Sequence, residues 1–332
     1  MSEQYQLPKG SPHKGPEQIK VLCLTGGGYR GLFTAQLLAR LEAALDPTAR
    51  PGQVKAIGNR FDLIVGTSIG GILGCALSLG ATASELAKQL QRHGPRIFPP
   101  MRLRSIRKFM GKPPYSPDNL RTAINACLKG AQSQQRLSAH DKALILTTVD
   151  WTSSKLHLLG SGPTNVRDRL GLSLMDAMLA TSAAPAHFPS HNIAQHIFVD
   201  GGLTANAPDL VALHCVREMW PNADIRMLSV GTANPLAGRD PSNVPKTGMG
   251  WAKPVIDLCM HSQELYAVDR CASLLGSQHY LRLNAHPSAA QVERVDFDVA
   301  TDASSKILVS LADDLAEQQM LPQNRSRLMA MV

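Results

Sequence analysis

The apolar positions change their period several times along the chain, and each change predicts an element. Ile19-Lys20-Val21-Leu22-Cys23-Leu24 is a short, nearly uncharged run. Such a run predicts a strand buried on both faces of a sheet. Gly26-Gly27-Gly28-Tyr29-Arg30-Gly31 follows at once, and then Leu32, Phe33, Leu37, Leu38 and Leu41 recur at helical spacing up to Asp46-Pro47. The pattern repeats. Phe61–Val65 reads as a strand, Gly66-Thr67-Ser68-Ile69-Gly70-Gly71 as a tight turn, and Ile72–Leu79 as an apolar helix ending at Gly80. Two such strand–turn–helix units in succession predict an α/β fold with a largely parallel sheet.

The same reading predicts strands at Ala143–Val149, Leu156–Leu159, Ile197–Val199, Ile225–Val230 and Tyr280–Leu283. It predicts helices at Ser173–Thr181, Asp209–Trp220, near Trp251–Leu275 and near Asp302–Gln318. Residues 1–18, rich in Pro, Gly and Lys, read as a flexible arm. Residues 19–232 read as the core, and 233–332 as a C-terminal extension packed on it, with room for a regulatory role. Residues 93–117 differ in character. Arg96, Arg102, Arg104, Arg107, Lys108 and Lys112 stand there among prolines and apolar residues, just after Arg92. This stretch reads as a basic insertion over the active face.

Composition narrows the class. Hydrophobic residues make up 44% and charged residues 18% of the 332, which excludes global disorder. The formal charge of +8 suits an anionic partner. Aromatics at only 5% argue against single-stranded nucleic acid, which needs stacking platforms. The six cysteines form no CxxC pair and read as reduced, buried residues. The polar N-terminus has no apolar signal region, and no apolar stretch is long enough to span a bilayer. The expectation is a soluble, cytoplasmic protein without nucleic acid or a metal.

The sharpest chemical signal is Gly66-Thr67-Ser68-Ile69-Gly70. A G-x-S-x-G turn between a buried strand and an apolar helix is a nucleophile elbow. It places Ser68 at a helix N-terminus, where backbone amides favour developing negative charge. Gly26-Gly27-Gly28 offers bare backbone donors beside it. Those donors suit an oxyanion hole or a phosphate nest. Gly26, Gly28 and Gly31 have dinucleotide-loop spacing, but such a loop needs an acid about 20 residues on, at the end of the second strand. Glu42 and Asp46 instead fall in and at the end of the first helix. The third signal is Phe198-Val199-Asp200-Gly201-Gly202, ahead of Asn206-Ala207-Pro208. It places Asp200 on a turn at a strand end, as a general base for Ser68 or as a turn-capping aspartate.

A histidine base would be the usual partner of a serine nucleophile. His187, His191 and His196 lie near Asp200 in sequence, and His214, His261, His279 and His286 follow it, but none sits in a recognisable motif. A partly buried carboxylate can take that role instead.

The glycine run, the Ser68 elbow and Asp200-Gly201-Gly202 occur in the order found in patatin-like phospholipases, and Ala180–Pro189 resembles that family's stretch ahead of its aspartate. The resemblance covers residues 19–232. It implies a three-layer α/β/α catalytic core, with Ser68 and Asp200 as catalytic dyad. It also implies an oxyanion hole at Gly26, Gly27 and Gly28 assisted by Arg30, with Gly66, Gly70, Gly201 and Gly202 shaping the turns. Thr25 and Ala207 depart from the common pattern, which has Asp and Asn there, and neither touches the dyad.

The block Thr25–Ala35 is similar to one subgroup, the bacterial patatin effectors of cyclic-oligonucleotide anti-phage defence. That similarity implies a phospholipase switched on by a cyclic di- or trinucleotide acting as an allosteric activator, with no cofactor. Its substrate would be membrane phospholipid, reached by peripheral contact with the inner face of the membrane. Arg102, Arg104, Arg107 and Lys108, with Ile106, Phe109 and Met110 interleaved, suit an anionic lipid surface, a nucleotide phosphate or plain solvation. A homo-oligomer is compatible with all of this. Three readings stay open: a regulated or unregulated lipid acyl hydrolase, a nucleotide-binding module using the glycine loop, and a catalytically silent lipid-binding protein.

Overall fold

A computed structural model of the chain describes residues 16–48, 54–99, 113–128, 130–166, 168, 170–235, 244–245 and 247–332. Its strands are β1 (Gln18–Leu24), β2 (Leu63–Thr67), β3 (Ala143–Asp150), β4 (Lys155–Ser161), β5 (His191–Ile193), β6 (His196–Asp200), β7 (Asp224–Val230) and β8 (Tyr280–Leu283). They form one sheet in the order β5-β6-β3-β2-β1-β7-β8, with β4 also paired to β3. β3, β2, β1, β7 and β8 pair in parallel, whereas β4, β5 and β6 pair antiparallel.

The helices are α1 (Gly31–Leu45), α2 (Ile69–Ser78), α3 (Ala83–Ile97), α4 (Pro117–Cys127), α5 (Leu174–Thr181), α6 (Gly202–Ala205), α7 (Asp209–Met219), α8 (Gly248–Leu275), α9 (Ala289–Val292), α10 (Asp302–Met320) and α11 (Pro322–Met331). Strand side chains alternate between faces, so both faces of a doubly apolar strand need cover. Leu22, Leu24, Ile64, Leu144 and Leu228 pack with Leu41 of α1, Leu73 of α2, Met178 of α5 and Leu308 of α10. Val21, Cys23, Val65, Ile145 and Met227 pack on the other face with Leu213 and Val216 of α7 and Cys271 of α8. The result is helix, sheet and helix in three layers, the α/β/α architecture expected from the sequence.

β3 is where the sheet changes direction. β4 runs antiparallel along Leu144–Asp150 and occupies one edge. β2 and β6 share the other edge: Thr67 lies opposite Thr147, and Asp200 opposite Thr148. Because β2 is parallel to β3 and β6 antiparallel, their C-terminal ends meet head to head at Thr147-Thr148. Whatever follows Thr67 and whatever ends β6 must therefore be neighbours.

The C-terminal residues are part of this body. β8 extends the sheet beside β7, and α10 lies against α1, where Arg40 donates from Nε and Nη2 to Asp313 at 2.7 and 2.6 Å. The α3 helix was not among the sequence expectations, although its start carries a legible signal. Thr82 accepts from the Glu85 N–H, and the Glu85 carboxylate accepts from the Thr82 N–H, a reciprocal cap. Residues 93–97 of the stretch read as a basic insertion are the end of α3. Residues 100–112, including Arg102, Arg104, Arg107 and Lys108, lie outside the described residues. Among the described residues, no helix is long and apolar enough to cross a membrane.

Candidate active site

Ser68 follows β2 directly and heads α2, with φ 56° and ψ −125°. The positive φ of a non-glycine residue is a strained conformation that its surroundings must impose. Here the imposing contacts are visible. A Cβ at Gly66 would meet the Gly70 carbonyl at 2.5 Å, and one at Gly70 would run into the Leu24 carbonyl, so only glycines permit so sharp a turn. The Ser68 amide donates to Thr181 Oγ1 at 2.9 Å, and that hydroxyl donates to the Thr147 carbonyl at 2.6 Å. Thr67 Oγ1 meets Thr147 Oγ1 at 2.7 Å. A buried ladder of threonine hydroxyls thus holds the elbow to β3.

Ser68 Oγ donates to Asp200 Oδ2 at 2.6 Å. The other carboxylate oxygen accepts from the Gly202 N–H at 2.7 Å. Both residues are buried, at 4% and 2% exposure. Burial pushes the Asp200 carboxyl up to about 6, against the opposing pull of its two hydrogen bonds. A carboxylate of that pKa is ionised at neutral pH and still basic enough to share a proton with a hydroxyl.

Among the glycine-loop amides, Gly26 donates to the Asn206 carbonyl at 3.0 Å and Tyr29 to the Phe297 carbonyl at 2.8 Å. The amides of Gly27 and Gly28 donate to no described protein group, and Gly28 has φ +59°. Gly28 lines the same small chamber as Ser68. The Arg30 guanidinium stands at the wider cavity that reaches Asp200, with a buried Nε that has no hydrogen-bond partner. Burial draws its pKa down, while Asp296, Glu264 and Asp257 act in the opposite direction.

Five histidines turn elsewhere. His191 pairs with Asp176 at 3.2 Å, His196 with Asp150 at 3.0 Å and His279 with Asp224 at 3.0 Å. His214 lies 3.9 Å from Glu218, and His286 meets the Asn234 carbonyl at 2.8 Å. His187 and His261 line the outer cavity. Glu42, weighed in the sequence against a ribose-binding acid, accepts from the amides of Ile57 and Ala83 and so ties α1 to the start of α3.

Sequence reasoning missed the support that the C-terminal residues give this site. Glu264 of α8 is buried and accepts from Asn206 Nδ2 at 2.8 Å, Asn234 Nδ2 at 2.7 Å and Arg282 Nη2 at 2.8 Å. Arg282 Nη1 donates in turn to Thr25 Oγ1 at 2.7 Å and Ser229 Oγ at 2.8 Å. One carboxylate therefore links α8, the residue before the glycine run, and Asn206 beyond Asp200. The contacts span up to 257 residues, and no local pattern announces them. Among the described residues, no cluster of His, Cys, Asp and Glu is arranged to hold a metal ion.

Residues 22–213 match the family model described as patatin-like phospholipase. The chain is 32% identical over 320 residues to a cGAMP-activated phospholipase of Vibrio cholerae, covering 89% of this chain and 86% of that one. It is 34% identical over 240 residues to a cGAMP-activated phospholipase of Escherichia coli, covering 69% of this chain and 66% of the relative. A third, from Pseudomonas aeruginosa and of the same name, is 31% identical over 267 residues, with 78% and 76% covered. A family model that spans most of the sheet, and relatives matched over 69% to 89% of the chain, lead to one statement: the chain belongs to the patatin-like phospholipase family.

Proposed function

We propose that Ser68 and Asp200 form a catalytic dyad that hydrolyses fatty-acyl esters of membrane phospholipids, and that a cyclic nucleotide raises this activity. The observation that carries the catalytic part is the 2.6 Å bond from Ser68 Oγ to Asp200 inside a strained elbow. As Ser68 Oγ attacks the acyl carbonyl carbon, its proton passes to Asp200. The carbonyl oxygen gains negative charge and is received by the free amides of Gly27 and Gly28, with the positive charge of Arg30 close by. Gly26 shapes that loop. When the tetrahedral intermediate collapses, Asp200 gives the proton to the departing alkoxide oxygen of the lysophospholipid. A water then attacks the acyl-serine while Asp200 takes its proton, and as the bond from Ser68 Oγ to the acyl carbon breaks Asp200 returns that proton to Ser68 Oγ and the fatty acid leaves. Gly66, Gly70, Gly201 and Gly202 shape the two turns that hold the pair.

Two facts support the regulatory part. The relatives named for cGAMP activation match both the core and the residues beyond it, and the net charge of +8 favours an anionic ligand. A phospholipase acting from the cytoplasmic side would attack its own cell's membrane, so a low basal rate is to be expected. A ligand can raise that rate only by preferring the competent state, and a hundredfold rise needs about 2.7 kcal/mol of preference. Defence against phage is the setting this control suits.

The test follows release of fatty acid from phosphatidylglycerol vesicles while cGAMP and other cyclic di- and trinucleotides are titrated in. Weak basal release, raised strongly by one ligand and lost in Ser68→Ala, is expected. Full activity without ligand, or no response to any of them, would leave an unregulated acyl hydrolase. Failure of a fluorophosphonate to label Ser68 both without and with each cyclic nucleotide would overturn the catalytic assignment itself.

A further inference from the structure

Two cavities flank the Ser68–Asp200 bond. The inner one, of about 40 Å³, is lined by Ser68 and Gly28 and otherwise by apolar groups such as Ile72, Leu90, Phe98, Leu120 and Phe188. The outer one, of about 460 Å³, is lined by Asp200, Arg30, Asn206, His187 and His261 among others. Among the described residues, Phe297 alone lines both. Phe297 therefore stands where the two cavities meet.

The inner chamber has the chemistry of a fatty-acyl chain but not the size. Its volume of about 40 Å³ is less than a tenth of the outer cavity's 460 Å³, so a long chain needs more room than it offers. The Phe297 ring lies against Gly28: a Cβ there would stand 2.8 and 2.9 Å from two of its ring carbons. The ring also meets Phe98 at 6.0 Å and His187 at 4.8 Å between centroids. The backbone is held separately. Its carbonyl accepts from Tyr29 N–H at 2.8 Å, and the next residue, Asp298, accepts from Tyr115 Oη at 2.5 Å. The anchoring of the chain is thus independent of where the ring points.

Resting on the Ser68 hydrolase reading, we infer that Phe297 is the specificity-determining gate of this site. Its ring closes the acyl chamber, and its rotation merges the two cavities so that an acyl chain lies inward while the rest of the lipid stays in the outer cavity. The size of the residue at 297 sets the length of chain that reaches Ser68.

The test uses the full chain, with and without cGAMP, and two alkyl fluorophosphonates, one with a methyl and one with a hexadecyl chain. The rate of Ser68 labelling is measured for each, in wild type, Phe297→Leu, Phe297→Ala and Phe297→Trp. Removing the ring should raise the long-to-short rate ratio about tenfold or more, within the range that pocket contacts supply. Leucine should fall between, and tryptophan should lower the ratio. A ratio unchanged within twofold across the folded variants overturns the gate and leaves the hydrolase reading standing. Should Phe297→Ala fail to fold, the Leu and Trp variants still decide by the direction of their shifts. Labelling by neither probe in any variant overturns the hydrolase reading, and the gate with it.

Discussion

The Ser68 elbow and the cover over it are built in opposite ways. What bends the chain at Ser68 is mostly nearby: β2 before it, α2 after it, and glycines where two backbones touch, with Thr147 and Thr181 bracing the turn from β3 and α5. The cover comes from far along the chain. Glu264, Arg282 and Phe297 reach the glycine loop and Asn206 from α8, β8 and the segment before α10. The difference teaches a division of labour. Local geometry poses the hydroxyl, the sheet brings the carboxylate to it from 132 residues away, and contacts from the C-terminal residues decide what reaches the pair.

The largest effect should come from the elbow. Ser68→Ala is expected to lower phospholipid hydrolysis at least about 1,000-fold, since the attacking atom is gone. Asp200→Asn should approach the same loss, because an amide cannot take the serine proton at neutral pH. His187→Ala, His191→Ala and His196→Ala should each keep substantial activity. Turnover on vesicles and on a soluble ester checks all five, and a histidine variant as dead as Asp200→Asn would replace the dyad by a triad.

The cover should respond differently. Glu264→Ala strands the Arg282 guanidinium, whose side chain is 14% exposed, and removes the acceptor of two asparagine amides. Losing one partner of a buried ion pair costs about 3–5 kcal/mol. Denaturant unfolding should report that loss. Turnover should fall as well, through kcat more than KM, because Asn206 and the glycine loop lose their common anchor. A stability loss with unchanged kcat would make Glu264 a purely structural residue.

That contrast also explains what could be read in the sequence. The strand–glycine–helix units, Ser68 and Asp200 are legible because close backbone approach demands glycine at fixed offsets, and because buried strands are apolar on both faces. The residues leave Asp200 as either a base for Ser68 or a turn cap, and only resemblance chooses between them, since their meeting depends on β6 filling the edge of β3 beyond β2. Glu264 was not legible at all. A lone acid in a helix reads as solvated until the fold buries it against partners 30 and 58 residues away. Phe297 sits in an irregular stretch after α9, where no period marks a buried ring.

The elbow also has a pH signature of its own. Asp200 has a native pKa near 6, above its ordinary 3.8. Its contribution to stability is fully present below about pH 4 and is lost as pH rises through 6, because the native state must then bury a charge. Two units correspond to about 3 kcal/mol. Wild-type stability relative to Asp200→Asn should therefore fall by about that amount between pH 4 and pH 7.5. Denaturant melts of both proteins at the two pH values measure it. An equal difference at both would mean that Asp200 is charged without penalty. Activity should rise with pH through the same region, since only the ionised carboxylate can accept the proton.

The smallest effect should come from a second arginine–carboxylate pair. Arg40 and Asp313 join α1 to α10 through two hydrogen bonds, at 2.7 and 2.6 Å, in a geometry as good as that of Arg282 with Glu264. What differs is solvent. The Arg40 side chain is 54% exposed and that of Asp313 25%, against 14% and 6% for the buried pair. Water screens the exposed charges in the folded protein and takes over their hydrogen bonds when one partner is cut away. Pairs of this kind are worth at most about 1 kcal/mol. Asp313 also accepts from Gln36 Nε2 at 2.8 Å, so it keeps a partner after the arginine is lost. Arg40→Ala should therefore lower the unfolding free energy by no more than that, less still in high salt, and leave vesicle hydrolysis at the wild-type rate. The apolar packing of Leu37 and Leu41 in the same core as Leu308 and Ala312 holds the two helices together without it. A loss of several kcal/mol in Arg40→Ala would show that α10 depends on charge for its docking, and that distance from the site, not burial, separates the two pairs.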